Sequence, residues 1–353
     1  MWNQNELTKK LGIEYPVIQG PFGGGLSTVK LLAAVSNAGG MGSFGAHILS
    51  PSGISELIND IRKETDRPYA INLWVSDHDE GGLNMQREAF NDYVGYFKPY
   101  YDALNIKLPE FPDKYTENYE EQVEAVIEAA PPVFSFVYGI PSHDVLERCR
   151  RKKITTIGAV TTLEEALAME EAGVDIILAT GLEAGGHRVS FMDKPENSLY
   201  GGLALVPQIV DRVKIPVICA GGIVDSRGVK AALALGAQGV QIGTAFLACE
   251  ESGTSTMHRD VLFSDASYKT VLSRAFTGRL ARFIPNKFID AIEQSKELPL
   301  PFPIQSFFTS TIKKSAHEQG NRNFASFYAG QGAPLLKHKK ARALIEAIVA
   351  DMD

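Results

Sequence analysis

Cysteine is scarce in this sequence, which contains only Cys149, Cys219 and Cys249 among its 353 residues. The three are widely separated, form no CxxC pair and have no histidine at the spacing of a metal ligand. This pattern excludes a disulfide framework and indicates reduced thiols, as in cytoplasmic proteins.

Long apolar runs and an excess of basic residues are missing as well. No stretch approaches the roughly 18 uninterrupted apolar residues of a membrane-spanning helix, and the first residues do not resemble a signal peptide. Acidic residues outnumber basic ones, 42 to 35, which gives a formal net charge of −7. We therefore expect a soluble, cytoplasmic protein that binds a small molecule, with neither nucleic acid nor a membrane as partner.

Short apolar segments alternate with segments of helical periodicity between residues 15 and 247. Eight of them are rich in Val, Ile and Phe and predict strands: Tyr15–Gln19, Gly42–Ala46, Tyr69–Val75, Val133–Tyr138, Ile154–Ala159, Val174–Ala179, Ile215–Ala220 and Gly239–Ile242. Alternation with helices favours a parallel sheet, and eight strands are the number that closes a (β/α)8 TIM barrel. An open doubly wound sheet is less favoured, because the strongest glycine motif follows a late strand rather than the first.

Two long segments, Ser76–Glu117 and Glu250–Gly332, interrupt this alternation. Such insertions on a barrel are commonly lids or binding loops, although a peripheral helical decoration or an oligomer contact fits equally well. We predict an α/β fold in which residues 1–249 and 333–353 form the barrel, closed by a last helix at Leu335–Ala350. Residues 250–332 are predicted to form a mostly helical lid or substrate domain, and a homodimer is compatible with this arrangement.

Glycine-containing pairs follow two neighbouring late strands of the predicted barrel. Gly221 and Gly222 come after the seventh strand, and Gly243 and Thr244 come after the eighth. Backbone N–H groups at such turns can bind a phosphate, and barrels commonly bind one between these two loops. Tight strand-to-helix turns are the alternative reason for the glycines. The pairing in adjacent units favours a phosphate site.

Residues at the ends of three further strands are candidates for the chemistry. His187 follows Gly185 and Gly186 after the sixth strand, where glycines allow the backbone to approach a ligand closely and where barrel enzymes place catalytic residues. Gln19 and Gly20 stand where a flat ring would rest over the barrel mouth. Asn72, at the end of the third strand, is placed to hydrogen-bond such a ring. We predict that His187 is catalytic.

Six sequence blocks together resemble the nitronate monooxygenase family, formerly called 2-nitropropane dioxygenases. They are QGPFGG, GLEAGGH, PVICAGGI, GAQGVQIGTAFL, AFTGRLARFIPNKF and YAGQG, in order and spacing from residue 1 to 335. The resemblance implies a TIM barrel that binds FMN and oxidises alkyl nitronates, such as propionate 3-nitronate, with O₂ to a carbonyl compound and nitrite. It also implies a helical domain over the flavin and no metal ion.

The resemblance assigns roles to individual residues. His187 would occupy the position of the active-site histidine, acting as an anion anchor or as a base. The residues that would contact the flavin ring, its ribityl chain or its phosphate are Gln19, Gly20, Pro21, Asn72, Thr180, Gly185, Gly186, Gly221, Gly222, Gln241, Gly243 and Thr244.

Three positions near this site depart from the pattern of the family. Thr180 stands where related sequences usually have Gln, Val189 where many have Gly, and Val137 where many have His or Thr. These departures leave the substrate open. Arg188 and Tyr328 are weaker candidates for the site, because a surface ion pair for Arg188 and ordinary packing for Tyr328 are the favoured explanations.

Other functions remain compatible with the same motifs. The related FMN-dependent enoyl-thioester reductases share the barrel and a GGH block, and they would require NAD(P)H. An isomerase or lyase of a phosphorylated sugar would use the phosphate loops without flavin. A non-catalytic ligand-binding barrel is less favoured, because it leaves His187 without a role.

Overall fold

Parallel strands form the centre of this computed structural model, which describes residues 1–75 and 85–352. The strands are β1 Val17–Gln19, β2 Gly42–Gly45, β3 Tyr69–Trp74, β4 Val133–Val137, β5 Thr155–Val160, β6 Ile176–Thr180, β7 Gly186–His187, β8 Val217–Ala220, β9 Gly239–Ile242, β10 Val271–Ser273 and β11 Ala281–Phe283.

One helix precedes the first strand, and the others lie between and after the strands. The helices are α1 Glu6–Leu11, α2 Val29–Asn37, α3 Pro51–Glu64, α4 Arg87–Leu104, α5 Tyr119–Ala129, α6 His143–Arg151, α7 Leu163–Glu171, α8 Gly202–Val210, α9 Ser226–Ala234, α10 Thr244–Leu247, α11 Thr256–Leu262, α12 Lys287–Glu293, α13 Ile304–Glu318 and α14 Ala341–Met352. Among the helices of the described residues, none has the length and hydrophobicity that crossing a bilayer requires.

Eight parallel strands form a closed barrel. Their hydrogen-bonded order is β1-β9-β8-β6-β5-β4-β3-β2, and a parallel bridge between Ile18 and Met41 joins the two ends of this series. Each barrel strand begins and ends within two residues of its predicted bounds. The predicted (β/α)8 barrel is confirmed, and the open sheet is wrong for this chain.

Local capping explains where the barrel helices begin. The Thr162 side chain accepts the N–H of Glu165 at the start of α7, as its sequence predicts. Helix α8 begins at Gly202, where the Glu183 carboxylate accepts the Gly202 N–H at 3.0 Å. A cap supplied from another loop leaves no mark in the sequence around the helix itself.

A second hydrophobic core lies beside the barrel and is rich in aromatic side chains. The Phe97 ring of α4 stacks on Phe308 of α13 at 4.9 Å, and the Tyr101 hydroxyl donates to the Phe308 carbonyl oxygen at 2.7 Å. The helical layer therefore draws on both predicted insertions. Residues 76–84 of the first insertion lie outside the described residues, and the division at residues 250 and 332 stays a prediction.

A small antiparallel sheet connects the barrel to this helical layer. Strand β7 pairs with β11, which pairs with β10, and His187 lies opposite Ala281. The predicted loop at His187 is thus a short strand, anchored by backbone hydrogen bonding to the segment after β10.

Candidate active site

A cavity of about 840 Å³ lies at the C-terminal ends of the barrel strands. Its lining includes Gly20, Pro21, Asn72, Thr180, Gly185, Gly186, His187, Gly221, Gly222, Gln241, Gly243 and Thr244. Strand pairing sets several of them at one level, since Thr180 lies opposite Ala220 and Ala220 lies opposite Gln241. The structure therefore brings together every predicted site residue except Gln19. Their roles toward a cofactor stay predictions.

Gln19 lies beneath the cavity wall rather than in it. Its side chain is fully buried, donates to the Gly20 carbonyl oxygen and accepts the Ser43 N–H at 3.0 Å. These bonds occupy the amide within the barrel. The predicted contact of Gln19 with a flavin ring therefore gains no support from its placement.

The turns after β8 and β9 present unpaired backbone donors. Gly221 and Gly222 have φ angles of 114° and 72°, which favour glycine. Within the described residues, the N–H groups of Gly222, Ile223 and Gly243 donate no hydrogen bond to another residue. A Cβ on Gly243 would meet only the Phe22 ring, at 3.9 Å, so the space there is open. This cradle of donors fits a phosphate group.

Residues 326–332, here called the closing segment, pack over the same turns. The Gly330 N–H donates to Thr244 Oγ1, and the Gln331 N–H donates to the Glu183 carbonyl oxygen, each at 2.9 Å. A Cβ on Gly185 would lie 2.5 Å from the Gly330 nitrogen. Gly185 is therefore glycine because the closing segment passes against it. From the sequence, this glycine was explained only by the close approach of the backbone to a ligand.

The His187 ring is fixed by one hydrogen bond. Its Nε2 lies 2.9 Å from Thr277 Oγ1, and that hydroxyl also lies 3.3 Å from the Arg279 carbonyl oxygen, to which it donates. When the Thr277 hydrogen is so directed, its oxygen accepts Nε2–H, and in that tautomer the lone pair of the ring is on Nδ1. Burial, followed by the charges of Arg279, His47 and Lys313, holds the pKa of His187 well below its usual value. His187 is thus a neutral imidazole at neutral pH.

Arg188, next to the histidine, makes no surface ion pair. It is buried, and its guanidinium donates to the carbonyl oxygens of Thr180, Gly181 and Ser198 at 3.2, 2.7 and 2.8 Å. Burial lowers its pKa to about 10. Arg188 therefore braces the loop that carries His187, instead of contributing to the cavity wall.

Two aromatic side chains that the sequence did not single out extend the wall beside His187. The His47 ring stacks on Trp74 with centroids 3.8 Å apart, and Trp74 presents an edge contact to His187 at 5.1 Å. Burial lowers the pKa of His47 to about 3. Its position just after β2 is the kind of signal that identified His187, so strand-end placement could have flagged it.

Lys313 of α13 is the third residue that the sequence analysis missed. It lines the cavity, and burial lowers its pKa to about 8. No described residue forms a hydrogen bond or ion pair with its ammonium group. In the sequence it belongs to a KK pair on an amphipathic helix, a pattern typical of a solvated face. Only the packing of α13 over the barrel shows that it is a cation on the cavity wall.

The fold and this site define a class: a barrel enzyme that acts on a ligand at the C-terminal rim of its strands. Comparison with known proteins makes the class specific. The nitronate monooxygenase family matches residues 4–351. Probable nitronate monooxygenases of Staphylococcus haemolyticus and Staphylococcus aureus are 38% and 40% identical over 351 residues, which is 99% of this chain and 97% of each relative. The chain belongs to the nitronate monooxygenase family of flavin-dependent oxidoreductases, as its motifs predicted.

Solved structures support the same assignment. Nitroalkane oxidase from Streptomyces ansochromogenes superposes with a TM-score of 0.88 at 33% identity, covering 99% of this chain and 98% of that one. FabK from Thermotoga maritima superposes with a TM-score of 0.75 at 28% identity, covering 99% and 96%. The architecture is therefore similar to that of FabK as well as that of nitroalkane oxidase.

Proposed function

We propose that this protein is an FMN-dependent enzyme that oxidises alkyl nitronates with O₂ to a carbonyl compound and nitrite. The observation that carries the proposal is the single cavity shared by the N–H cradle, the neutral His187 and the cation of Lys313. A phosphate-bearing cofactor and a small anionic substrate fit the two sides of such a cavity.

The cradle supports FMN as the cofactor. The N–H groups of Gly222, Ile223 and Gly243 would hold its one phosphate, with Thr244 beside them. When bound, the flavin supplies the electron transfer, and the protein supplies binding and orientation. The open space over Gly243 gives the phosphate room without displacing a side chain.

The opposite side of the cavity supports an anionic substrate. A nitronate carries negative charge on its two oxygens, and propionate 3-nitronate carries a second charge on its carboxylate. The Lys313 ammonium would bind that carboxylate by a charge-assisted hydrogen bond. With a neutral nitroalkane, His187 Nδ1 would take the proton from the α-carbon, and the C–H electron pair would form the C=N bond of the nitronate.

An enoyl-thioester reductase is the second candidate, favoured by the likeness to FabK. Such an enzyme would reduce a C=C bond with electrons from NAD(P)H. Rapid anaerobic bleaching of the flavin by NADH, with no oxygen uptake on nitronate, would favour this function. A purified protein without flavin absorption would instead favour a phosphorylated-sugar isomerase or lyase.

The test begins with the absorption spectrum of the purified protein and the mass of any cofactor released on denaturation. We expect FMN; FAD or no flavin would contradict the cofactor proposal. Oxygen uptake and nitrite release are then measured with propionate 3-nitronate, and NADH oxidation is measured in parallel. Nitrite release without NADH is the expected result.

A further inference from the structure

Tyr328 lies on the cavity wall beside His187. The two ring centroids are 5.9 Å apart, and the Tyr328 ring also packs on Phe283 at 4.6 Å. Within residues 1–75 and 85–352, no group forms a hydrogen bond with the Tyr328 hydroxyl. Burial raises the pKa of this phenol, so it keeps its proton at neutral pH. The side chain therefore offers the cavity a hydrogen-bond donor that none of these residues uses.

The backbone around Tyr328 is held firmly. Its carbonyl oxygen accepts a hydrogen bond from His258 Nε2 at 3.0 Å, and the residue forms an antiparallel bridge with Phe283. Burial lowers the pKa of His258 to about 3, so this histidine is neutral and must carry its proton on Nε2 to make the bond. The closing segment is also bonded to Thr244 and Glu183. A group positioned in this way is preorganised, not loosely attached.

The state of His187 creates a need for such a donor. To take the α-proton of a nitroalkane, His187 must present an unprotonated nitrogen to the cavity, with its own proton on Nε2 toward Thr277. A neutral acceptor can remove a proton from a nitroalkane, but it cannot donate to the nitro oxygens. Those oxygens gain negative charge as the α-proton leaves, and an unpaired charge in a buried site is costly. Another side chain must therefore meet them.

We infer that Tyr328 is a substrate-contacting residue whose hydroxyl donates a hydrogen bond to a nitro or nitronate oxygen and so orients the reacting carbon toward His187. The inference rests on the proposed function. It gives the three groups separate tasks: His187 takes the proton, Tyr328 binds the nitro group and Lys313 binds a distant carboxylate. Tyr328 also packs on Phe283, as the sequence suggests. That packing involves only the ring and leaves the hydroxyl available to a substrate.

The test is Tyr328→Phe, which keeps the ring on Phe283 and removes only the O–H. We expect unchanged flavin content and a KM for propionate 3-nitronate raised roughly ten- to hundredfold, with a smaller change in kcat, as for loss of a hydrogen bond to a charged group. Succinate, in which a carboxylate replaces the nitronate, serves as an unreactive probe. Its dissociation constant, measured from changes in flavin absorption, should rise by a similar factor. Tyr268→Phe, at a side chain that is 74% exposed, is the control.

The outcomes separate this inference from the proposed function. If the wild-type enzyme oxidises nitronates while Tyr328→Phe keeps wild-type KM and succinate affinity, the inference is overturned and the function stands. If the wild-type protein binds succinate in a Tyr328-dependent way but oxidises no nitronate, the function is overturned and Tyr328 remains an anion-binding residue. If it does neither, both are overturned.

Discussion

The two walls of the cavity present different kinds of hydrogen-bond donor. On the barrel wall, the donors are backbone N–H groups of Gly222, Ile223 and Gly243, held at the ends of β8 and β9. On the helical wall, the donors are the side chains of Lys313 and Tyr328, which come from α13 and the closing segment. Most substitutions leave a backbone N–H group in place, whereas a substitution of Lys313 or Tyr328 removes the donor itself. Cofactor binding is therefore expected to be the robust property of this fold, and substrate choice the variable one.

The largest effect on cofactor binding is expected from Gly243→Asp, which places a negative charge among the backbone N–H groups of the cradle. Gly243 has an ordinary negative φ and open space at its Cβ position, so the barrel should fold. The carboxylate would oppose the phosphate where the N–H groups should bind it. We expect essentially complete loss of flavin from the purified variant, measured by absorption at equal protein concentration.

Two companion variants control for bulk and for folding. Gly95→Asp makes the same change at an exposed helical glycine with nothing near its Cβ, and it should keep full flavin. Gly222→Asp should also lose flavin, although its φ of 72° adds backbone strain. Full flavin occupancy in Gly243→Asp would show that the turns after β8 and β9 do not bind the phosphate.

His187→Ala tests whether catalysis can be lost without loss of cofactor binding. It should leave flavin content unchanged, because no part of the cradle depends on the imidazole. With neutral nitroalkane, we expect kcat/KM to fall roughly 10²- to 10⁴-fold, the usual contribution of a general base. With preformed nitronate the loss should be much smaller, since no proton remains to be removed. Equal losses on both substrate forms would make His187 an anion anchor instead.

The barrel wall could be predicted from the sequence because its signals are local. The glycine pair at residues 221–222 and the residues Gly243 and Thr244 directly follow strand patterns, and parallel strands bring their carboxyl ends to one rim. Knowing the strands was therefore enough to place the cradle. The same reasoning placed Asn72 on the rim, whereas Thr180 was assigned through the family resemblance. The reasoning failed for Gln19 because a side chain at a strand end can also point between strands and accept the Ser43 N–H.

The helical wall could not be predicted, because its residues meet through packing between distant segments. Lys313 looks like half of a solvated lysine pair until α13 is laid over the barrel, and Thr277 reaches His187 across 90 positions. Gly185 was identified, but its partner Gly330 was not. Periodicity assigns the face of a helix, and nothing in it states which barrel loop that face will cover.

Lys313→Met tests whether the Lys313 ammonium binds the carboxylate of the substrate. At pH 7 we expect the KM for propionate 3-nitronate to rise roughly ten- to hundredfold, because a charge-assisted bond to the carboxylate is lost. The KM for ethyl nitronate, which lacks the carboxylate, should change little. Lys269→Met, at an exposed lysine, is the matched control. An equal rise for both nitronates would place Lys313 at the nitro group instead.

The pH dependence of kcat/KM gives a second measure of Lys313. Burial lowers its pKa to about 8, so the group is cationic below that pH and loses its charge as pH rises through it. In the wild-type enzyme, kcat/KM for propionate 3-nitronate should therefore fall above pH 8, and kcat/KM reports groups in the free enzyme. In Lys313→Met, this decline should be absent. A decline that persists in the variant would assign the titration to another group.

The smallest expected effect concerns Thr277, which we expect to control whether the cavity-facing nitrogen of His187 carries a proton. In Thr277→Val, Nε2–H would lose its acceptor, so the tautomer with the proton on Nδ1 gains population and His187 becomes a donor toward the cavity. The loss of one neutral hydrogen bond, about 1 kcal/mol, corresponds to a roughly fivefold change. We expect kcat/KM with neutral nitroalkane to fall by about that factor, while the KM for preformed nitronate stays level or decreases, because the anion gains a donor. Thr277→Ser keeps the hydroxyl and should restore wild-type values on both substrates. A general structural disturbance of the site would lower activity on both substrate forms. A loss with neutral nitroalkane alone would therefore indicate control of the His187 tautomer, and equal losses on both forms would rule it out.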